Sequence, residues 1–281
     1  MLARSRTSVP SIDWRLPFYG ALWAVNAVLL VVTIAAFFAA DVGVDWDVYV
    51  NGSQGDLVYR YSPLLVPFFD LIAPIGYLGW TALHFAVLLL LPGRLALIAL
   101  IMAPFWNDIY NGNTMTFVAV AAVLAVRGNR WGTLAFLTLA VLMPRPVMLP
   151  VLGYLLWTRR EWVIPFAGIA AVHALAVVAT GQWETWISTL VGTGLNDIGA
   201  GADLGPSRFL GLWWYPAGLA GALWLTVKGH IGWASIFATP YWLLPYGLML
   251  LLEAVPRPSA QASRGAAQWP PEPSTAAGRA G

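Results

Sequence analysis

The sequence contains no cysteine and few charged residues. Without cysteine, the chain has no disulfide bond and no thiolate metal site. Charged residues make up 10% of the 281 residues, and 59% are hydrophobic. Soluble domains carry about 25% charged residues, so this composition excludes an ordinary water-exposed surface. The net charge of +2 is small and the basic residues form no patch, which argues against a nucleic-acid partner.

The sequence contains several long apolar runs. The run from Ala21 to Ala40 holds no charged residue and has the length of roughly 20 residues that a helix needs to cross a bilayer. It is longer than the core of a signal peptide, and many apolar segments follow it. The runs are continuous rather than alternating, so they predict helices and not a membrane β-barrel.

The predicted fold is an all-α polytopic membrane protein with about nine or ten transmembrane helices, some short, broken or re-entrant. The predicted divisions are a cytoplasmic segment (1–16), a transmembrane domain (17–252) and a disordered tail rich in Pro and Ala (253–281). Segment 62–92 contains several prolines, which predicts a broken or re-entrant piece followed by a full helix. The apolar segments are 17–40, 62–92, 95–106, 113–126, 131–143, 146–157, 162–180, 209–227 and 231–252.

The distribution of charge predicts the orientation in a plasma membrane. Arginines precede the first helix and occupy several short connections, whereas aspartates follow the first helix. Because basic loops stay in the cytoplasm, we expect 41–61, 107–112, Met143–Pro146 and 181–208 on the outer face.

Polar residues cluster at these outer helix ends, where they are functional candidates. If 45–49 is helical, Asp45 and Tyr49 lie on one face. An aspartate beneath aromatic rings would be a better base. The other interpretation of this stretch is a solvated acidic loop with aromatic membrane anchors.

Two further groups are suited to anions. Arg60, beside Tyr61, could bind a phosphate or sugar oxygen, or could extend to the membrane interface. Asp108, Gly112 and Asn113 form either an anion-binding helix start or an ordinary polar turn.

Arg145 lies between two apolar stretches, where a cation requires an anionic partner. That partner is either an aspartate of the chain, such as Asp45 or Asp108, or a lipid phosphate. The three histidines show no metal-ligand spacing, so they predict packed or interfacial side chains, and no metal is expected.

Taken in order, these groups resemble glycosyltransferase family 87, membrane mannosyltransferases of the GT-C class that use a polyprenyl-phosphate sugar donor. The resemblance spans roughly residues 15–190. Arg145 stands where lysine is usual in the family, and Asn113 where glutamine is common. The matching residues are Asp45, Tyr49, Tyr59, Tyr61, Ser62, Pro63, Gly112, Asn113, Arg145, Pro146, Arg159, Arg160 and Trp162.

The resemblance implies a GT-C-like bundle and inverting transfer of a hexose, with mannose expected. The acceptor would be a lipid-linked or cell-envelope glycan on the outer face. Asp45 would act as general base, with Asp47 as the alternative base, and Arg145 would stabilise the phosphate leaving group. No cofactor is implied, since the lipid-linked donor is a substrate. The implied substrate-binding residues are Tyr49, Arg60, Tyr61, Asp108, Asn113 and Arg145.

Two other functions stay open. A small-molecule or lipid transporter would also contain broken helices, although transporters often show internal repeats and the sequence shows none. A catalytically degenerate scaffold subunit is the other alternative, because the chain is shorter than typical family members.

Overall fold

The structure is a computed structural model that describes residues 15–39, 42–51, 53–54, 57–58, 61–188 and 204–256. Apart from a small antiparallel hairpin, β1 (Ser53–Gln54) with β2 (Leu57–Val58), its regular elements are helical. The α-helices are α1 (Arg15–Ala39), α2 (Val44–Asn51), α3 (Val66–Ile72), α4 (Gly76–Leu88), α5 (Gly93–Leu100), α6 (Ala103–Asn111), α7 (Met115–Val126), α8 (Arg130–Leu142), α9 (Leu149–Thr158), α10 (Val163–Ala179), α11 (183–188), α12 (Ser207–Leu210), α13 (Trp214–Lys228) and α14 (Ile231–Phe237). Short 3-10 turns are Pro63–Leu65, Ala73–Ile75, Pro146–Met148, Arg160–Trp162 and Gly211–Trp213, and a longer 3-10 helix is Leu244–Ala254.

Three helical stretches are long and apolar enough to cross a membrane, namely Phe18–Ala39, Pro63–Leu88 and Arg160–Ala179. They support the prediction of a helical membrane protein. The other apolar helices of at least ten residues in the described ranges are shorter than the roughly 20 residues of a full span. These are Met115–Val126, Arg130–Leu142, Pro146–Thr158 and Leu244–Ala254. The number of crossings therefore stays a prediction.

The proline-rich segment 62–92 is interrupted, as its sequence predicts. It begins with a 3-10 turn, continues as α3, passes through a second 3-10 turn and ends as α4. Pro63, Pro67 and Pro74 each stand at one of the first two positions of one of these elements. A proline there removes only an N–H group that has no partner within the helix, so the elements form at little cost.

Segment 95–106 is not the single apolar helix that its sequence suggests. It divides into α5 and α6 at Ile101 and Met102. Asn26 of α1 occupies the break, because its Nδ2 donates to the Ile101 carbonyl and its Oδ1 accepts from the Ala103 N–H, both at 2.9 Å. One amide side chain thus provides partners for two main-chain groups at the break, which apolar surroundings would leave without hydrogen bonds.

The last apolar segment, 231–252, is also divided. Helix α14 ends at Phe237, and the chain resumes in the 3-10 helix that begins at Leu244. This helix belongs to the core, with Leu248, Met249 and Leu251 almost fully buried. It continues to Ala254.

Helix α7 is the centre of the main core. Its residues are almost all buried, and its many alanines and valines allow close packing. It forms an antiparallel pair with α8 through a turn at Gly128, where φ is +89°. A Cβ atom on Gly132 of α8 would lie 2.3 Å from the Leu124 Cβ, so only glycine permits this approach.

Candidate functional site

Aromatic and main-chain contacts hold α2 against the junction of α6 and α7. The Gly43 N–H donates to the Tyr110 carbonyl at 2.8 Å. The rings of Trp46 and Trp80 stack with centroids 5.1 Å apart, and Trp80 Nε1 donates to the Gly112 carbonyl at 2.8 Å. Gly112 adopts the left-handed conformation with φ +71°, as its place in the turn predicts. The acidic helix α2 is therefore fixed beside the start of α7.

Next to these contacts, five side chains from four parts of the chain meet in one polar cluster. They are Tyr49, Tyr61, Asn113, Thr114 and Arg145. The Tyr49 and Tyr61 hydroxyls lie 3.0 Å apart, and the Tyr49 hydroxyl lies 3.5 Å from Asn113 Oδ1. Arg145 Nη2 donates to Asn113 Oδ1 at 2.9 Å and to Thr114 Oγ1 at 3.0 Å. The structure thus brings together Tyr49, Tyr61, Asn113 and Arg145, which the sequence singles out from widely separated segments.

The charge of Arg145 is not neutralised within the described residues. Its guanidinium lies 5.0 Å from the centre of the Tyr61 ring, a cation–π geometry. None of the ion pairs in the described ranges involves this arginine, so neither Asp45 nor Asp108 is the partner that the sequence allowed. Among the described residues, its buried Nη1 has no hydrogen-bond partner. A guanidinium N–H can donate to the oxygen of an anion.

Asp45 and Asp47 belong to the first turn of α2, and both are partly exposed. Asp45 is close enough to Tyr49 to act on its ionisation. Burial, then the negative charge of Asp45, raises the pKa of Tyr49 well above its usual value, whereas Arg145 lowers it. Tyr49 is therefore a neutral phenol that hydrogen-bonds in the site, and the carboxylates of α2 are the groups suited to accept a proton.

Asp108 is buried against the start of α7, next to the polar cluster. Its carboxylate accepts from the Met115 N–H at 3.1 Å, the Thr116 N–H at 2.7 Å and the Thr116 hydroxyl at 2.6 Å. Its side chain is completely buried. Asp108 therefore caps the start of α7, and this placement favours a supporting role over direct contact with a substrate.

Ser62 connects the site to α10, one of the helices long and apolar enough to cross a membrane. Its Oγ lies 2.7 Å from Nε2 of His173 on α10, and its N–H donates to the Leu142 carbonyl at the end of α8. These contacts bring the start of the broken segment to the turn that carries Arg145. The expected packed state of His173 is confirmed, since this residue is 8% exposed.

Arg60 and its neighbour Tyr59 lie outside the described residues. Thr114 was missed by sequence reasoning, although its position directly after Asn113 at a helix start is a signal. His84 is fully buried, which agrees with the prediction of a packed or interfacial histidine. The sequence did not indicate its polar partners, the main-chain carbonyls of Trp80 and Asn113.

Comparisons with known proteins find no match for this chain. No protein-family model matches the chain, and neither a curated protein nor a solved structure does. The function must therefore be argued from the site itself.

Proposed function

We propose that the chain is a multi-pass plasma-membrane glycosyltransferase of the inverting GT-C kind. It moves a hexose, with mannose expected, from a polyprenyl phosphate to a lipid-linked or cell-envelope glycan on the outer face. The observation that supports this proposal is the Arg145 guanidinium, which neutral Asn113 and Thr114 hold while its buried Nη1 has no partner among the described residues.

A phosphate ester is the anion that fits this arginine best. The Tyr61 ring and the two hydrogen bonds fix the plane of the guanidinium, while Nη1 is left without an acceptor. A guanidinium in a fixed plane binds phosphate oxygens directionally, and a low-dielectric surrounding strengthens that contact. The tyrosine hydroxyls beside it provide donors for sugar or phosphate oxygens.

The proposed reaction requires a base and a stabilised leaving group. Asp45 accepts the proton of the acceptor hydroxyl, whose oxygen then forms a bond to the anomeric carbon of the sugar. The bond from that carbon to the phosphate oxygen breaks, and polyprenyl phosphate leaves with the added negative charge. Arg145 is placed to bind that charge, which develops in the transition state. Asp47 is the alternative base.

The surrounding helices suit a lipid-borne substrate. The helices that follow Ser62 expose large apolar side chains, among them Leu71 at 77% and Leu78 at 80% exposed. In a bilayer these face acyl chains, so a polyprenyl tail remains in lipid while its phosphate approaches the arginine.

The test is sugar transfer from radiolabelled polyprenyl-phosphate mannose in membranes that contain the full chain. We expect Asp45→Asn to lower the rate at least about 100-fold, the order of magnitude for a lost general base. Arg145→Gln should lower it by a similar factor. Arg127→Gln is the matched control, because Arg127 is exposed at the C-terminal end of α7 whereas the polar cluster lies at its start, so transfer should stay intact. Equal transfer by wild type and Asp45→Asn removes Asp45 as the base, and no transfer by the wild type to any glycan acceptor contradicts the proposal.

A further inference from the structure

Both ring nitrogens of His84 face hydrogen-bond acceptors. Nδ1 lies 2.8 Å from the Trp80 carbonyl oxygen, and Nε2 lies 2.8 Å from the Asn113 carbonyl oxygen. Nε2 also lies 3.5 Å from Oδ2 of Asp108. A carbonyl oxygen cannot donate, so each nitrogen must carry a proton to make its contact. In a neutral imidazole one nitrogen carries no proton, so its lone pair would face the lone pair of a carbonyl oxygen inside a fully buried site.

The hydrogen bonds of Asp108 indicate the protonation state of its own carboxyl group. Its two carboxylate oxygens receive the N–H groups of Met115 and Thr116, which can only donate, and the Thr116 hydroxyl contact is 2.6 Å. The two N–H groups can only donate, and donors of this kind at the N-terminus of α7 favour a carboxylate over a protonated carboxyl group.

We propose that His84 is a doubly protonated imidazolium with Asp108 as its counter-ion, and that it positions Asn113 for the anion-binding Arg145. The pair is neutral as a whole, which is how a buried charge persists within an apolar span. No other ionisable group contacts the ring in the described residues. Its ring neighbours are Trp80 of α4 and Phe117 of α7.

The link to the site runs through one residue. His84 holds the carbonyl of Asn113, while the side chain of Asn113 accepts from Arg145 Nη2 and from the Thr114 N–H at 2.6 Å. The imidazolium thereby fixes the turn that sets the distance between Asn113 and the guanidinium. His84 touches no reacting atom in this scheme and is a positioning residue.

The protonation state can be read by nitrogen NMR on the full chain in lipid nanodiscs with ¹⁵N-labelled histidine. The chain has three histidines, so His84→Gln identifies the His84 signals by their loss. We expect two protonated-type nitrogen signals for His84 that persist from about pH 6 to about pH 8, where an ordinary histidine loses its charge. His230 gives a solvent-accessible reference signal, because its side chain is 53% exposed beside Glu253. A neutral tautomer of His84 near pH 7 overturns the proposal.

Asp108→Asn tests the counter-ion. His84 should then lose the imidazolium signature, and an unchanged spectrum would show that Asp108 does not hold the charge. If this variant fails to fold, the wild-type spectrum still decides the protonation state.

The positioning role rests on the proposed function and has its own readout, the dissociation constant for a short-chain polyprenyl phosphate. His84→Gln should weaken binding about tenfold, as supporting residues do around ionic sites, and unchanged affinity contradicts the role. If the wild type binds no polyprenyl phosphate, the proposed function fails, whereas the NMR result on the ion pair stands by itself.

Discussion

At the scale of single residues, the site depends on a neutral acceptor beside a cation. Asn113 offers an amide oxygen to Arg145 at 2.9 Å, so the arginine is held in place without being neutralised. A carboxylate at the same position would form an ion pair and take up the charge that the proposed donor phosphate needs. This difference between an amide and a carboxylate gives a sharp test.

Asn113→Asp should abolish donor binding without unfolding the chain. The new carboxylate would pair with Arg145, so we expect transfer to fall about 100-fold, the factor typical of removing one electrostatic contact to the transition state. Asn113→Gln is the matched control, because it keeps the amide. Measurement of transfer and of the melting temperature separates loss of function from loss of fold. If Asn113→Asp transfers sugar as fast as Asn113→Gln, Arg145 does not bind the donor phosphate.

Sequence reasoning reached part of this site for a local reason. Asp45 and Tyr49 share a face because they are one helical turn apart, which spacing alone predicts. The contact between Asn113 and Arg145 joins residues 32 positions apart, and its geometry depends on how α7, α8 and α9 pack. The role of Asp108 as a cap was hidden as well, because it depends on the tight turn at Gly112 bringing α7 back onto α6.

The tight turn at Gly112 can be tested by alanine. Gly112 combines φ +71° with a contact in which an added Cβ would lie 2.7 Å from the Trp46 Cβ. Gly128 has a similar φ of +89°, yet nothing lies within 4 Å of its Cβ position. We expect Gly128→Ala to cost about 1 kcal/mol of stability from backbone strain, and Gly112→Ala about 3 kcal/mol from strain plus overpacking. Thermal unfolding in detergent compares them, and equal losses would mean that α2 does not pack closely on the turn.

At the scale of helices, breaks in the chain are stabilised by side chains that come from far away. The division between α5 and α6 was not predicted, because both halves are apolar and its partner Asn26 lies 75 residues from Ile101. Helix α1 exposes most of its surface, so this asparagine is its main polar attachment within the described residues. The interrupted segment after Ser62, in contrast, was predicted because proline acts locally.

Asn26→Leu should loosen α1 from the rest of the fold. The substitution keeps the helix apolar but leaves the Ile101 carbonyl and the Ala103 N–H without partners. We expect a loss of about 1 kcal/mol, typical of hydrogen bonds between membrane helices. Val31→Leu on the same helix is the control, since Val31 is 68% exposed. Protease sensitivity of the first connection and thermal unfolding measure the effect, and identical behaviour of the two variants would show that the amide is not needed.

At the scale of the whole molecule, long exposed helices surround short buried ones. Helix α7 has 12 residues, about 18 Å at 1.5 Å per residue, whereas the bilayer core is about 30 Å thick. Such a helix is stable at membrane depth because protein surrounds it and satisfies its ends, as Asp108 does. The sequence predicted helices throughout, and three described stretches are long and apolar enough to span. The number of crossings stays a prediction.

The sidedness of the molecule is the remaining prediction at this scale, and the absence of cysteine makes it directly testable. Basic residues are expected to stay in the cytoplasm, so Lys228 should lie inside and Glu184 outside. Both are exposed at helical positions away from the polar cluster, so cysteine substitution at either should leave the fold intact. In intact cells, a membrane-impermeant maleimide should label Glu184→Cys but label Lys228→Cys only after lysis. The reverse pattern would place α2 and Arg145 on the cytoplasmic face, where an acceptor of the cell envelope is out of reach. Labelling of both in intact cells would require an even number of crossings between them and would contradict the predicted sidedness.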